Sequence, residues 1–348
     1  MKHQQEALQR WQTLDIIKTV GLLGALFFHV FVWWFGKNWG ATGAAFYSFI
    51  GAPVWLMLTF LVVIHFLLLS AGASLYFYLK KYQPTLKTIL LRVVLLLLLG
   101  VVFGLNLHPL VVFWNVFMLY AVSVLTIFLL DRYVGKRAIM MLTAASLLLT
   151  PFLRFFLGTM APQHYASYVL VGDPAGIASF YPFFPWFFLM GAGFLTSHFY
   201  RQYQKAKLLG YGLFGGAITT LLVVPFLRIP DFTNIFGFTS QMSISYAVLM
   251  ASTFIFLVSW LELLLHNIKL SPYNPAVALG RHILPVYLTT VFITLIMVPL
   301  MKQYVHYRDG TRVFLILEIM TFLIAYLVAA LLTCRAVRRR DHRAAPFA

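Results

Sequence analysis

The amino-acid sequence predicts an all-α integral membrane protein: a single bundle of about ten membrane-crossing helices, with both termini in the cytoplasm. Three observations carry this expectation. The chain of 348 residues is 61% hydrophobic and only 10% charged, with 34 Phe and a mean hydropathy of +0.87, outside the range of soluble domains. Apolar runs of about 20 residues, enough to cross the hydrocarbon core as helix, recur from end to end. The basic residues fall in clusters between those runs. The short alternating segments of a membrane β-barrel do not occur.

In order, the spans lie at approximately 13–35, 53–79, 85–107, 109–130, 138–157, 178–200, 208–228, 241–265, 275–300 and 313–334. The first carries Asp15 and Lys18 and is too long for a cleaved signal peptide, so it reads as a retained span. The stretch 158–177, with Pro162, His164, Asp173 and Pro174, reads as an outer loop that either connects two spans or caps an outward-facing site. The single cysteine, Cys334, closes the last span, which leaves no partner for an intramolecular disulfide. Short tails, 1–12 and 335–348, flank one polytopic domain, 1–348. No soluble domain, long linker, low-complexity tract or fixed-period repeat interrupts it.

The formal charge of +17 orients the bundle. Basic residues cluster at Lys2 and Arg10, at Lys80, Lys81, Lys87 and Arg92, at Arg132, Lys136 and Arg137, at Arg201, Lys205 and Lys207, at Lys269 and Arg281, and in the tail from Arg335 to Arg343. Each cluster falls at the N-terminus, after an even-numbered span, or at the C-terminus. The odd loops hold only Lys37, Arg154, Arg228, Lys302, Arg308 and Arg312. The positive-inside rule then puts both termini inside. Charge distributed this way faces anionic lipid, not nucleic acid.

The first span carries a polar stripe. At 100° per residue, the step from Lys18 to His29 returns to within about 20° of its start, and Asp15 lies about 40° to the other side of His29. Lys18 and His29 are separated by about 16 Å along the axis. Ionisable residues in an apolar helix are costly and turn toward a bundle interior or a wet cavity. Asp15 and Lys18 read either as an i,i+3 ion pair with Lys18 snorkelling inward, or as part of a site. His29, in the outer half, reads either as a structural hydrogen-bonding histidine or as a general base. Gly21 and Ala25 add a small-x-x-x-small patch that suits packing within the bundle or a homodimer.

The stretch from Leu14 to His29 resembles the first helix of transmembrane acyltransferases. In the acyltransferase-three family that helix holds an Arg, ten residues and a catalytic His; here Lys18 and His29 stand at those places. Three further segments resemble heparan-α-glucosaminide N-acetyltransferase-like proteins. Leu69-Ser70-Ala71-Gly72-Ala73-Ser74-Leu75 is similar to that group's second-helix ending. Pro182-Phe183-Phe184-Pro185-Trp186 is similar to its P-x-x-P-W helix start. Leu279-Gly280-Arg281-His282-Ile283-Leu284-Pro285-Val286-Tyr287-Leu288 is similar to its LGR-x-S-L-x-x-Y element. Besides Lys18 for Arg, Asn115 stands where many relatives have Asp, and Thr289 and Thr290 follow Tyr287 where a His is common.

The resemblance implies acyl transfer across the bilayer. The donor would be acetyl-CoA or another acyl-CoA at the cytoplasmic face, and the acceptor a hydroxyl or amine of a sugar, glycan or glycolipid outside. His29 would be general base or acyl carrier. Lys18, Arg92, Arg281 and His282 are candidates for the donor's phosphates. Asn115, Trp114, Ser70 and Tyr287 are candidate oxyanion donors, Glu318 a candidate partner that orients His29, and Asp15 and His65 further site candidates. Glu262, toward the inner end of the eighth span, is the other buried carboxylate. No His/Cys/Asp/Glu spacing reads as a metal site. The competing classes are a transporter or flippase, which also buries charge and breaks helices at Gly and Pro, and a non-catalytic paralogue.

Overall fold

The structure is a computed structural model that describes residues 11–35, 54–107, 115–160, 165–172, 181–202, 205–223, 242–265, 268, 270–304 and 310–344. Among the described residues every regular element is helical. In chain order these are α1 (Gln12–Phe35), α2 (Val54–Tyr82), α3 (Leu86–Leu107), α4 (Val116–Leu129), α5 (Lys136–Leu148), α6 (Thr150–Met160), α7 (Tyr165–Val171), α8 (Phe183–Gln202), α9 (Lys205–Val223), α10 (Ile244–Leu265), α11 (Pro275–Arg281), α12 (Ile283–Tyr304) and α13 (Gly310–Ala344). A π-helical turn, Leu130–Val134, ends α4. Helices dominate because hydrocarbon offers no water to backbone N–H and C=O groups, which must pair within the segment.

Among the described residues five stretches are long and apolar enough to cross a membrane: Leu86–Phe103, Val116–Val134, Ile244–Leu265, Ile283–Met301 and Leu315–Val337. The described part is all-helical, with several apolar helices of the kind found in multi-pass membrane proteins. Helix α13 shows the inverted amphipathicity this requires. Leu315, Ile319, Leu323, Leu327 and Leu331 are exposed, whereas Leu317, Thr321, Ala325, Ala329 and Thr333, at four-residue spacing, are buried. Large apolar side chains face outward and small or hydroxyl-bearing ones pack inward.

Several boundaries differ from the sequence reading. The expected span 138–157 is the pair α5 and α6, bent by 56° after Leu148. The expected span 275–300 is broken at His282 into α11 and α12. The stretch 158–177, read as a loop, contains α7. Residues 108–114, including the start of the expected fourth span and Trp114, lie outside the described residues.

Within the chain two compact units can be distinguished. A mid-chain unit comprises Leu68–Trp260, and a terminal unit comprises Arg10–Leu67 with Leu261–Ala348. Both divisions fall inside continuous helices, α2 and α10, so no linker composition marks them. In the mid-chain unit, α2 and α8 meet through reciprocal glycines. A Cβ on Gly72 would overlap the Met190 carbonyl, and one on Gly193 would overlap the Leu69 carbonyl. Leu69, Phe187, Phe194, Leu119 and Phe254 are fully buried in this unit.

In the terminal unit, α11 lies against α1. Asn274 caps α11 by accepting from the Ala276 N–H at 3.0 Å, with Pro275 at its first position. Thr19 donates to the Ala276 carbonyl at 2.7 Å, and the Gln12 amide both donates to and accepts from the Leu270 backbone. Gly280 then meets the Asp15 carbonyl so closely that any Cβ would overlap it. Gly21 packs on Leu67 of α2 and Ala25 is buried, so the small-residue patch of α1 is used within the unit. Because the atom facing Gly280 is backbone and cannot swing aside, Gly280→Ala is expected to cost about 1–3 kcal/mol or more by overpacking. Thermal unfolding in detergent checks this, and an unchanged midpoint would contradict the close crossing.

Candidate functional site

Helix α1 delivers the polar stripe to the interior of the terminal unit. Asp15 is buried, and its carboxylate lies 3.8 Å from the Lys18 ammonium, with side-chain exposures of 3% and 15%. The two residues thus form the expected i,i+3 ion pair. One face and about three turns further along stands His29.

The ring of His29 is held at both nitrogens. Nδ1 lies 2.6 Å from the Ala25 carbonyl, one turn back on the same helix. A carbonyl can only accept, so Nδ1 carries the hydrogen and donates it. In the neutral ring Nε2 is then the bare nitrogen, and it lies 3.2 Å from the Tyr287 hydroxyl, which donates to it. The rings meet edge to face at 5.6 Å and 77°. Tyr287 sits in the second turn of α12. The close crossing of α11 on α1 and the break at His282 bring that turn to His29. His29 and Tyr287 are both half-buried. The product is a base with a defined tautomer and a hydroxyl already on its free lone pair. Compared with family models, with curated proteins and with solved structures, the chain matches none.

The other sequence candidates are placed as follows. Glu318, expected to orient His29, does not hydrogen-bond to it; the Ala25 carbonyl performs that task. The Glu318 side chain is buried on α13, and both its oxygens lack a hydrogen-bond partner among the described residues. Arg281 and His282 are half-buried where α11 ends, and His65 is buried on α2. Asp15, Lys18, His29, His65, Arg281, His282, Tyr287 and Glu318 all belong to the terminal unit.

Asn115 and Arg92 belong to the mid-chain unit. Asn115, expected as an oxyanion donor, is the N-cap of α4. Its Oδ1 accepts from the Phe117 N–H at 3.0 Å, and its amide donates to the Gly100 carbonyl at 2.6 Å. Both ends of the side chain thus serve backbone. Arg92 is exposed, its guanidinium 4.1 Å from the centre of the Tyr78 ring. Thr290 donates to the Val286 and Tyr287 carbonyls of its own helix. Among the described residues no three His, Cys, Asp or Glu side chains converge as metal ligands would.

Two contributors escape sequence reasoning. The Ala25 carbonyl has no side-chain signature, since every helix has a carbonyl four residues back. Glu262 accepts from both Trp11 Nε1 and Thr13 Oγ1, anchoring the start of α1.

The cap role of Asn115 is separable from catalysis. Asn115→Ala is expected to lower stability by about 1 kcal/mol, and Asn115→Ser, which restores a capping acceptor, to recover part of it. Unfolding midpoints of the three proteins decide this. Equal midpoints with lost activity would instead mark Asn115 as catalytic.

Proposed function

We propose that the chain is a membrane acyltransferase. It moves an acyl group, most simply acetyl, from a coenzyme A thioester on the cytoplasmic side to a hydroxyl or amine of a sugar, glycan or glycolipid outside. The proposal includes ten spans in the cytoplasmic membrane, with both termini inside. The observation that carries it is the His29–Tyr287 pair: a neutral imidazole with Nδ1 tied to the helix and Nε2 aimed at a hydroxyl. Likeness of the Leu14–His29 and Leu279–Leu288 segments to acyltransferase elements supports the same reading.

The chemistry follows from the two atoms. An acceptor hydroxyl that displaces the Tyr287 hydroxyl from Nε2 gives up its proton to that nitrogen as its oxygen attacks the thioester carbonyl carbon. Tyr287, released from Nε2, is the nearest donor for the oxygen that gains negative charge. The carbon–sulfur bond then breaks, and the Nε2 proton passes to the departing thiolate, so His29 ends neutral. The thioester is a substrate and supplies the acyl group. Arg281 and His282, half-buried beside α1, fit its phosphates better than Lys18, which is engaged with Asp15, or Arg92, which lies over Tyr78.

Purified protein incubated with labelled acetyl-CoA and sugar acceptors tests this. His29→Ala should lower transfer about 10²–10⁴-fold. Tyr287→Phe should lower it about 10²-fold if its hydroxyl serves as the oxyanion donor. Full transfer by His29→Ala would end the proposal. Topology is tested separately in a Cys334→Ser background. Lys2→Cys and Ala345→Cys should react with an impermeant thiol reagent only after the membrane is opened.

A second reading, a proton-coupled transporter, is favoured by one observation, the buried carboxylate of Glu318 with no hydrogen-bond partner among the described residues. In the acyltransferase reading, with Ala25 orienting His29, Glu318→Gln should leave transfer within about twofold. In the transporter reading the same change should abolish substrate-driven proton uptake by proteoliposomes.

A further inference from the structure

We propose that the mid-chain unit carries an anion site, where the ends of α2, α5 and α8 converge, that takes a phosphate monoester. Four elements contribute charge there. Lys80 is in the last turn of α2, Lys136 opens α5, Arg201 is in the last turn of α8 with His198 one turn before it, and Asp131 lies in the π-helical turn. Lys80 Nζ sits 3.2 Å from Asp131 Oδ2. Lys136 lies within electrostatic reach of Lys80, Asp131 and Arg201, and His198 within reach of Lys136, Asp131 and Lys80.

The charges do not balance within the cluster. Asp131 is the carboxylate common to these fields, and it is directly paired with Lys80. Lys136 and Arg201 leave a surplus of two positive charges, before any contribution from His198. Like charges gathered this way repel one another; the Asp131 side chain is 10% exposed and that of Lys80 33%, Lys136 is half-buried, and Arg201 stands exposed at the rim where a ligand can reach it. A phosphate monoester, with about −1.5 to −2 charges near neutral pH, matches that surplus. The start of α5 adds a second attraction. Gly135 (φ +106°) precedes it and no side chain caps it; the Ala138 N–H donates to the Gly135 carbonyl at 3.2 Å, which leaves the N–H groups of Lys136 and Arg137 as those a bound anion would meet. Arg201 adds a planar guanidinium that can bind two phosphate oxygens at once.

A soluble nucleotide-type compound and a lipid headgroup both present a phosphate monoester. The experiment separates them, and it does not depend on acyl transfer. Full-length protein in a neutral detergent is titrated with adenosine 3′,5′-bisphosphate or with short-chain phosphatidic acid, at constant ionic strength, and its unfolding midpoint is followed. A saturable rise with the first alone points to a soluble ligand, and with the second alone to a lipid. A rise with both marks a site that recognises the phosphate itself. Lys136→Gln and Arg201→Gln should each weaken binding at least tenfold, and Lys87→Gln, exposed on α3, should not. Asp131→Asn, which removes the competing carboxylate, should tighten binding. That gain is not expected of a merely structural residue. The absence of a saturable rise with either compound overturns the proposal. So does equal binding by the Lys136 and Arg201 variants, or Asp131→Asn that leaves binding unchanged or weaker.

Discussion

The contact between Gly280 and the Asp15 carbonyl governs the terminal unit. Helices in hydrocarbon gain little from burying apolar surface against one another, because the lipid is as apolar as a leucine. They associate where backbones can approach closely, and Gly280 lets α11 do so at the first turn of α1. Thr19 and Gln12 then close hydrogen bonds to the backbone of the same segment, fixing its rotation as well as its distance. With α11 pinned and the chain turned at His282, α12 begins at a set height, and its second turn presents Tyr287 to His29. A glycine near the start of α1 thus determines a hydrogen bond near its other end.

Polar groups are distributed by a related economy. Asp15 and Lys18 satisfy one another, Glu262 gathers two donors, and Asn115 spends its whole amide on backbone. Each would be costly in hydrocarbon without these partners. Glu318 stands apart from this economy, with no hydrogen-bond partner for either oxygen among the described residues. Two further sites differ in other ways. In the His29–Tyr287 pair Nδ1 is held by the backbone of its own helix while Nε2 meets a side-chain hydroxyl. The cluster around Asp131 gathers Lys80, Lys136 and Arg201 about one carboxylate.

Much of this was legible in the sequence, for definite reasons. The apolar runs announced the helices because their length and composition are a direct response to hydrocarbon. The stripe on α1 was visible because a single helix fixes its own angular arrangement, so Asp15 and Lys18 could be expected as a pair. Breaks were harder to see. The bend after Leu148 carries no charged residue, and the turn at His282 falls on the short polar pair Arg281-His282, too brief to separate two apolar runs, so each pair of helices reads as one. The capping role of Asn115 was not visible, because the need of a helix start for a capping acceptor leaves no mark in a hydropathy pattern. The division into two units falls within α2 and α10, where the sequence is continuous helix.

The identity of the group that orients His29 has a chemical consequence. A carboxylate on Nδ1 would fix the tautomer and also stand ready as a counter-charge once the ring is protonated. The Ala25 carbonyl fixes the tautomer with a dipole alone. A dipole at Nδ1 offsets less of a positive charge on the ring than a carboxylate at the same place would. Direct transfer, in which Nε2 takes the acceptor's proton and hands it to the departing thiolate, keeps the charged ring brief. An acyl-imidazole intermediate would require the ring to become cationic on acylation and to wait for the acceptor. On that ground the orienting carbonyl favours direct transfer over a covalent acyl carrier within the acyltransferase reading.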